Sequence, residues 1–460
     1  MATDYNCKQV CADYFSVVII SYPSPLSRFF QTGARIFFAA SIVLAPFRLR
    51  ANLWVRPFHP VYSDYTDFLL FACDVPVYFM LVFWGCSLLL APRRVRPGNP
   101  FVFILLTGLT VAAWASTIGS VDAVISRYQA IRFVFLLFYY LFIVNEIDSA
   151  GWVIVPVFFQ AMIQLPVGVA QFFAQSSIGL QAFGEHRLDP LVRGISIIPV
   201  NGERILRAYG FTDHPNILGG CLTFAMVILL AVVLYGERRK PLIAAAGILF
   251  IFPAFLLTFS RSAWLSFFLA GFFLAMSNVV SRKWESVIRL GLLGALCIAV
   301  GATLIVRDVS VFGKRFNGGD VAGDGPMVER AFLMEKGNTL FVEHSAIGVG
   351  LGASPLAMKL KFGEFPVSYQ PPHFTPLTAS LETGVLGGAF YFILCLLPFL
   401  DFLFRWRMYI QNPVGMGVMA LLLAISVVNL FDYYTWFYSP GRIWQWLAWA
   451  MYSQVSTRAG

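Results

Sequence analysis

The chain has 460 residues, of which 58% are hydrophobic and only 12% charged, and its mean hydropathy is +0.73. That composition excludes a soluble globular enzyme, and apolar runs of about twenty residues exclude a β-barrel, whose strands alternate over about ten. The net charge of +9 (33 Lys and Arg against 24 Asp and Glu) sits largely in short clusters between the apolar runs. There it sets orientation and meets anionic headgroups, so it implies no nucleic acid. The expected fold class is an all-α polytopic integral membrane protein, since helices satisfy every backbone group within hydrocarbon.

Taken in order, residues 1–27 carry Asp4, Lys8 and Asp13 without a small-residue cleavage pattern, and read as a retained cytosolic tail. About twelve spans follow, centred near Phe38, Tyr78, Leu109, Leu136, Val157, Val227, Leu249, Leu269, Cys297, Leu394, Leu422 and Trp449. The short loops with Arg93, Arg94 and Arg96, with Arg238, Arg239 and Lys240, with Arg282 and Lys283, and with Arg405 and Arg407 fall on one side. The positive-inside rule makes that side cytosolic and puts both termini there. The region 28–455 then reads as one transmembrane domain with extracytoplasmic insertions at about 175–213 and 307–372, followed by a cytosolic tail at 456–460. The seven cysteines are odd in number and lie mostly in apolar runs, which implies neither a disulfide framework nor a metal site, Cys7 and Cys11 included.

Polar residues with chemical potential gather on the expected outer face. Arg207 precedes Asp213, His214, Pro215 and Asn216 at the start of the sixth span. Pro at a first helical position after capping residues marks an outward helix N-terminus, which favours phosphate. His214 there reads as a base or as a structural hydrogen-bonder. Arg261, in Ser260-Arg261-Ser262 between two long apolar runs, needs an anion, a carbonyl or water; snorkelling is the alternative. Arg330 borders a stripe of Met327, Ala331, Met334 and Phe341 on an outer amphipathic helix, aimed at the cavity or paired with Glu329 or Asp324. Gly348, Gly350 and Gly352 form a glycine-rich turn, because no βαβ unit surrounds them. His373 opens the tenth span, where the helix dipole keeps an imidazole neutral and able to accept a proton from a hydroxyl. Ser380 and Gly384 fall on its face; Glu382 falls opposite, as a helix-locking carboxylate. The aromatic loop Phe431–Tyr438 reads as an interface belt ahead of a sugar platform.

Together these motifs resemble the O-antigen ligase and polymerase superfamily of bacterial envelope glycosyltransferases. The matching residues are Arg207 with His214-Pro215-Asn216, Ser260-Arg261-Ser262, Arg330 followed by Gly348 and Gly350, and His373 with Glu382, Gly384 and Gly387. They span roughly the second half of the chain, and Phe374 stands where the family often has Asn. The resemblance implies a GT-C-like helical fold and a metal-independent transferase without cofactor. Its donor would be a glycan on a polyprenyl diphosphate, and its acceptor a lipid A core, a growing polysaccharide or a protein hydroxyl. Arginines at the positions of Arg261, Arg330 and Arg207 would hold the diphosphate and His373 would be the base, with His214, Asn216 and Glu382 in support. Guanidinium can hold a leaving diphosphate without a metal, and inversion by single displacement is the simplest course. A polymerase of the same superfamily is the alternative, and a lipid-linked glycan flippase is the alternative from another class. The latter calls for polar residues toward the cytosolic side, whereas here intramembrane charges cluster outward, with Arg35, Arg127 and Arg132 as exceptions or borderline cases without a place.

Overall fold

The computed structural model describes residues 24–192, 194–317, 326–365 and 367–458. Most of the expected N-terminal tail, Cys7, Cys11, Asp320 and Asp324 lie outside the described residues. The chain is predominantly helical, and each of the twelve expected span centres falls within a helix. These helices are α1 (Pro25–Leu44), α2 (Asp74–Leu90), α3 (Pro100–Ala115), α4 (Ala123–Glu146), α5 (Gly151–Ala174), α6 (Pro215–Tyr235), α7 (Lys240–Leu257), α8 (Arg261–Val280) and α9 (Trp284–Arg307), and then α13 (Thr375–Gln411), α14 (Pro413–Asn429) and α16 (Ser439–Arg458). Between them lie α10 (Val309–Asn317), α11 (Pro326–Glu343), α12 (Ser354–Phe362) and the single turn α15 (Tyr434–Phe437). Seven of the twelve (α4 to α9 and α13) are long and apolar enough to cross a membrane, which makes this a multi-pass membrane protein. Three more are apolar but 16 or 17 residues long, about 25 Å at 1.5 Å per residue against a hydrocarbon core of about 30 Å.

Helix starts follow local chemistry. Asn99 and Asp122 turn their side chains onto the free amides of α3 and α4, and Pro100, Pro215 and Pro413 occupy opening positions where no amide partner is needed. Helix α6 is buried along nearly its whole length and forms the axis around which α5, α7, α8 and α14 pack. The purely helical expectation misses two antiparallel hairpins, β1 (Arg50–Trp54) with β2 (Phe68–Phe71) and β3 (Ile197–Val200) with β4 (Glu203–Leu206). Both occur in polar inter-helix segments, where backbone groups outside a helix need another ladder.

One end of the bundle collects the long polar segments. Arg48 and Arg50 reach Asp213 at 2.6 and 2.7 Å, Arg56 reaches Asp122 at 2.9 Å, and Val121 N donates to Val349 O. Arg35 and Arg132, without an assigned place in the sequence, are held by Asp148 and by Asp74 with the carbonyl of Leu69, respectively; Arg127 is exposed. At the other end α16 continues to Arg458, through part of the stretch expected as a tail.

Helix α13 is broken at Gly384, whose φ of +73° and ψ of −178° leave the helical region. A Cβ there would lie 2.5 Å from Ala346 O, so only glycine lets the two segments approach. The carbonyls freed by the break, Leu381 O and Glu382 O, accept from Val349 N and Gly350 N, and Val385 N donates to Ser345 O. The glycine-rich turn is thus the plug that satisfies a broken helix.

Candidate active site

The site is built at the polar end around Asp432, in the turn between α14 and α15. Its buried carboxylate accepts from Asn216 Nδ2 at 3.3 Å and from Ser262 Oγ at 3.3 Å, and lies 4.0 Å from the Arg330 guanidinium. Its backbone carbonyl accepts from Thr375 Oγ1 at 2.6 Å, which ties it to the first turn of α13. Burial pushes the Asp432 carboxyl up, against the opposing pull of Arg330. Asp432 went unnoticed in the sequence because it sits inside an aromatic run that looks like a membrane-interface belt. That expectation is corrected: Tyr434, Thr435, Trp436 and Phe437 are buried inside the bundle.

Arg207 is buried. Its Nε donates to Thr258 O, Nη1 to Ser196 Oγ and Nη2 to Asn216 Oδ1, each at 2.7 Å. Burial and the nearby charge of Arg315 push it down to about 9, so it stays cationic at neutral pH. Asn216 therefore links Arg207 to Asp432. His214 caps α6, its Nδ1 accepting from Asn216 N at 3.1 Å. Burial and the surrounding Arg207, Arg330, His373 and Arg315 hold its pKa well below the ordinary histidine range.

Arg330 lies on the buried stripe of α11 rather than at its border. Leu333 (0% exposed) and Leu340 (2%) face inward, whereas Met327 (62%) and Met334 (42%) face outward. The reason is Gly337, where a Cβ would come 2.4 Å from Pro372 Cγ. Without a side chain there, α11 seats directly on the Pro371-Pro372-His373 segment and carries Arg330 toward His373. Glu329, one expected partner of Arg330, instead accepts from Gln370 Nε2 at 2.8 Å.

His373 is half-buried, with its ring edge-to-face against Tyr433 at 4.9 Å and 81°. Its Nδ1 is buried without a hydrogen-bond partner among the described residues, and Phe374 beside it supplies no amide. Burial and the Arg330 charge push the imidazole down to about 3, so it is neutral at physiological pH.

Arg261 and Glu382 stand apart from this cluster. Arg261 is the first residue of α8, exposed, and among the described residues its guanidinium has no hydrogen-bond or ion-pair partner. Its neighbours Ser260 and Ser262 lead to Asp432 through a 3.3 Å hydroxyl contact. Glu382 is fully buried and accepts from Ser354 Oγ at 2.7 Å and Trp436 Nε1 at 2.8 Å. Arg315, which the sequence offers only as one charge among many in the long segment, donates from Nε to Phe259 O at 2.9 Å and acts electrostatically on Arg207 and His214. The polar end can therefore hold a multiply charged anion beside a neutral imidazole. Among the described residues no group of three or more His, Cys, Asp or Glu side chains has the arrangement of a metal site.

No curated protein matches the chain in sequence. Residues 246–392, about a third of the chain, match the family described as O-antigen ligase, and that stretch contains Arg261, Arg330, His373, Glu382 and Gly384. Arg207, His214, Asn216 and Asp432 lie outside it and complete the site from flanking segments. Residues 246–392 are thus similar to the O-antigen ligase family, and the site draws on that stretch together with its flanking segments.

Proposed function

We propose that the protein transfers a glycan from a polyprenyl-diphosphate donor to an acceptor hydroxyl, as an O-antigen ligase acting on a lipid A core or a comparable glycan. In this reading twelve spans cross the cytoplasmic membrane, both termini are cytosolic, and the polar end faces the periplasm. The observation that carries the proposal is an imbalance of charge. Among the described residues the guanidiniums of Arg330, at 4.0 Å, and of Arg207, through Asn216, gather at one buried carboxylate, Asp432, with Arg261 one residue from its Ser262 contact. A diphosphate relieves that excess, and planar guanidinium forks suit its oxygens.

In the reaction the acceptor oxygen bonds to the anomeric carbon of the donor as the bond from that carbon to the phosphate oxygen breaks. The electron pair leaves with the diphosphate, whose growing charge the arginines stabilise, and the hydroxyl proton passes to His373. Single displacement inverts the anomeric centre. Before the donor arrives, burial and then the Arg330 charge suppress the basicity of His373. A bound diphosphate compensates that charge and raises the imidazole pKa, so donor binding prepares the base.

The test is transfer by the reconstituted protein with purified polyprenyl-diphosphate-linked glycan and lipid A core, measured beside donor binding. Losing a positioned base costs about 10² to 10⁴ in rate, so His373→Ala should nearly abolish transfer with donor binding intact. His373→Gln should restore nothing. Wild-type turnover by the Gln variant would remove His373 as the base.

A further inference from the structure

The end of the bundle opposite the site holds a second polar cavity, of about 900 Å³, between the loop joining α2 to α3 and the ends of α4 and α16. Arg93, Arg94 and Arg96 line it, with Leu88, Val95 and Val144 as an apolar wall. Arg93 is already matched: Glu146 accepts from its Nη2 at 2.5 Å and Nε at 3.1 Å, from Trp84 Nε1 at 2.9 Å and from Gln31 Nε2 at 2.6 Å. Arg94 and Arg96 are not; among the described residues neither guanidinium has a hydrogen-bond or ion-pair partner.

The loop that presents them is built rather than loose. Asn145 takes both backbone groups of Arg96, accepting from its N at 2.8 Å and donating to its O at 2.9 Å. Tyr140 Oη donates to Pro97 O at 2.9 Å, and Asn99 is anchored to Ser453 Oγ and Ser456 Oγ at 2.7 and 2.9 Å. Gly98 passes so close to Ser453 that a Cβ would lie 2.3 Å from its hydroxyl. A short basic loop that serves only to orient the chain needs charge and no fixed shape. Here three side chains immobilise the backbone and leave two guanidiniums at a cavity whose acid, Glu146, is already taken by Arg93, which preorganises them for an anion. Just beyond lie Leu89 and Leu90, apolar and exposed at the end of α2.

We propose that this cavity is a binding site for the headgroup of an anionic phospholipid of that leaflet, with Arg94 and Arg96 on the phosphate and the acyl chains along α2. The site is independent of the transfer reaction. Free phosphate shares the recognised chemistry but gains nothing from the apolar wall.

The experiment follows the thermal unfolding midpoint of the purified full chain in detergent during titration with phosphatidylglycerol, phosphatidylcholine or sodium phosphate at constant ionic strength. Phosphatidylglycerol should raise the midpoint saturably and the other two should not. In Arg94→Gln/Arg96→Gln the concentration for half effect should rise about tenfold or more. Arg94→Lys/Arg96→Lys, which keeps the charge and loses the fork, should fall between that variant and wild type. Arg238→Gln/Arg239→Gln, which removes equal charge at the same end outside this cavity, should respond like wild type. An unchanged response in Arg94→Gln/Arg96→Gln, an equal loss in Arg238→Gln/Arg239→Gln, or the same shift from sodium phosphate alone would overturn the assignment.

Discussion

Two buried carboxylates near the polar end, Glu382 and Asp432, are treated in opposite ways. Glu382 receives two short hydrogen bonds from neutral donors, Ser354 and Trp436, beside the break at Gly384, and it joins α12, α13 and α15. Asp432 is held at 3.3 Å by Asn216 and Ser262 and at 4.0 Å by Arg330, in a neighbourhood with more guanidinium than carboxylate. Short bonds from neutral groups finish a structure and leave nothing for a ligand. Long contacts amid surplus positive charge hold a place that a stronger anion can take. Fully satisfied burial marks a lock, whereas incomplete satisfaction next to like charge marks a site.

The contrast breaks most visibly at Arg330. Arg330→Ala should lower glycan transfer about 10²- to 10³-fold, the cost typical of losing one donor aimed at developing negative charge, while the unfolding midpoint changes little. Steady-state transfer measured beside thermal unfolding checks this, and a variant that unfolds early while each folded molecule turns over normally would make Arg330 a brace. Glu382→Leu should do the reverse. It leaves the Ser354 hydroxyl and the Trp436 indole buried without a partner, which costs about 2–4 kcal/mol of stability, with transfer per folded molecule kept. A stable Glu382→Leu protein that has lost transfer would move Glu382 into the site.

The smallest effect is in pH dependence. His373 must be neutral to accept a proton, so activity falls as pH drops through its pKa. With that value at about 3 in the free protein, kcat/KM for the donor should stay level from neutral pH down to about 5. In the donor complex the diphosphate offsets Arg330, so the acid limb of kcat should lie at a higher pH than that of kcat/KM. Coincident acid limbs would show that Arg330 and the imidazole are not coupled through the donor.

Much of this was legible in the residues. Long apolar runs fix helices because a backbone in lipid has few other solutions, and all twelve expected centres lie in helices. Pro215 after a capping histidine predicted where α6 begins, and His214 caps it. The glycine turn read correctly as a turn, but its purpose did not follow, because it closes a helix break some thirty residues away. Arg330 was placed beside the wrong stripe. The helical repeat of α11 offers two apolar faces, and only the approach of Pro372 to Gly337 selects the one bearing Arg330.

By itself the sequence determined the helical membrane class, a resemblance to the O-antigen ligase family, and the set of arginines and histidines at one end, since hydropathy and local motifs are properties of neighbouring residues. Only the tertiary structure decided which of them meet. Asp432, at the far end of the chain, gathers Asn216, Ser262 and Arg330 from three earlier segments, while Arg261 points to the exterior and Glu382 turns into the packing. Such meetings depend on how helices distant in sequence pack around α6, and on close approaches that single glycines permit, neither of which leaves a periodic trace along the chain.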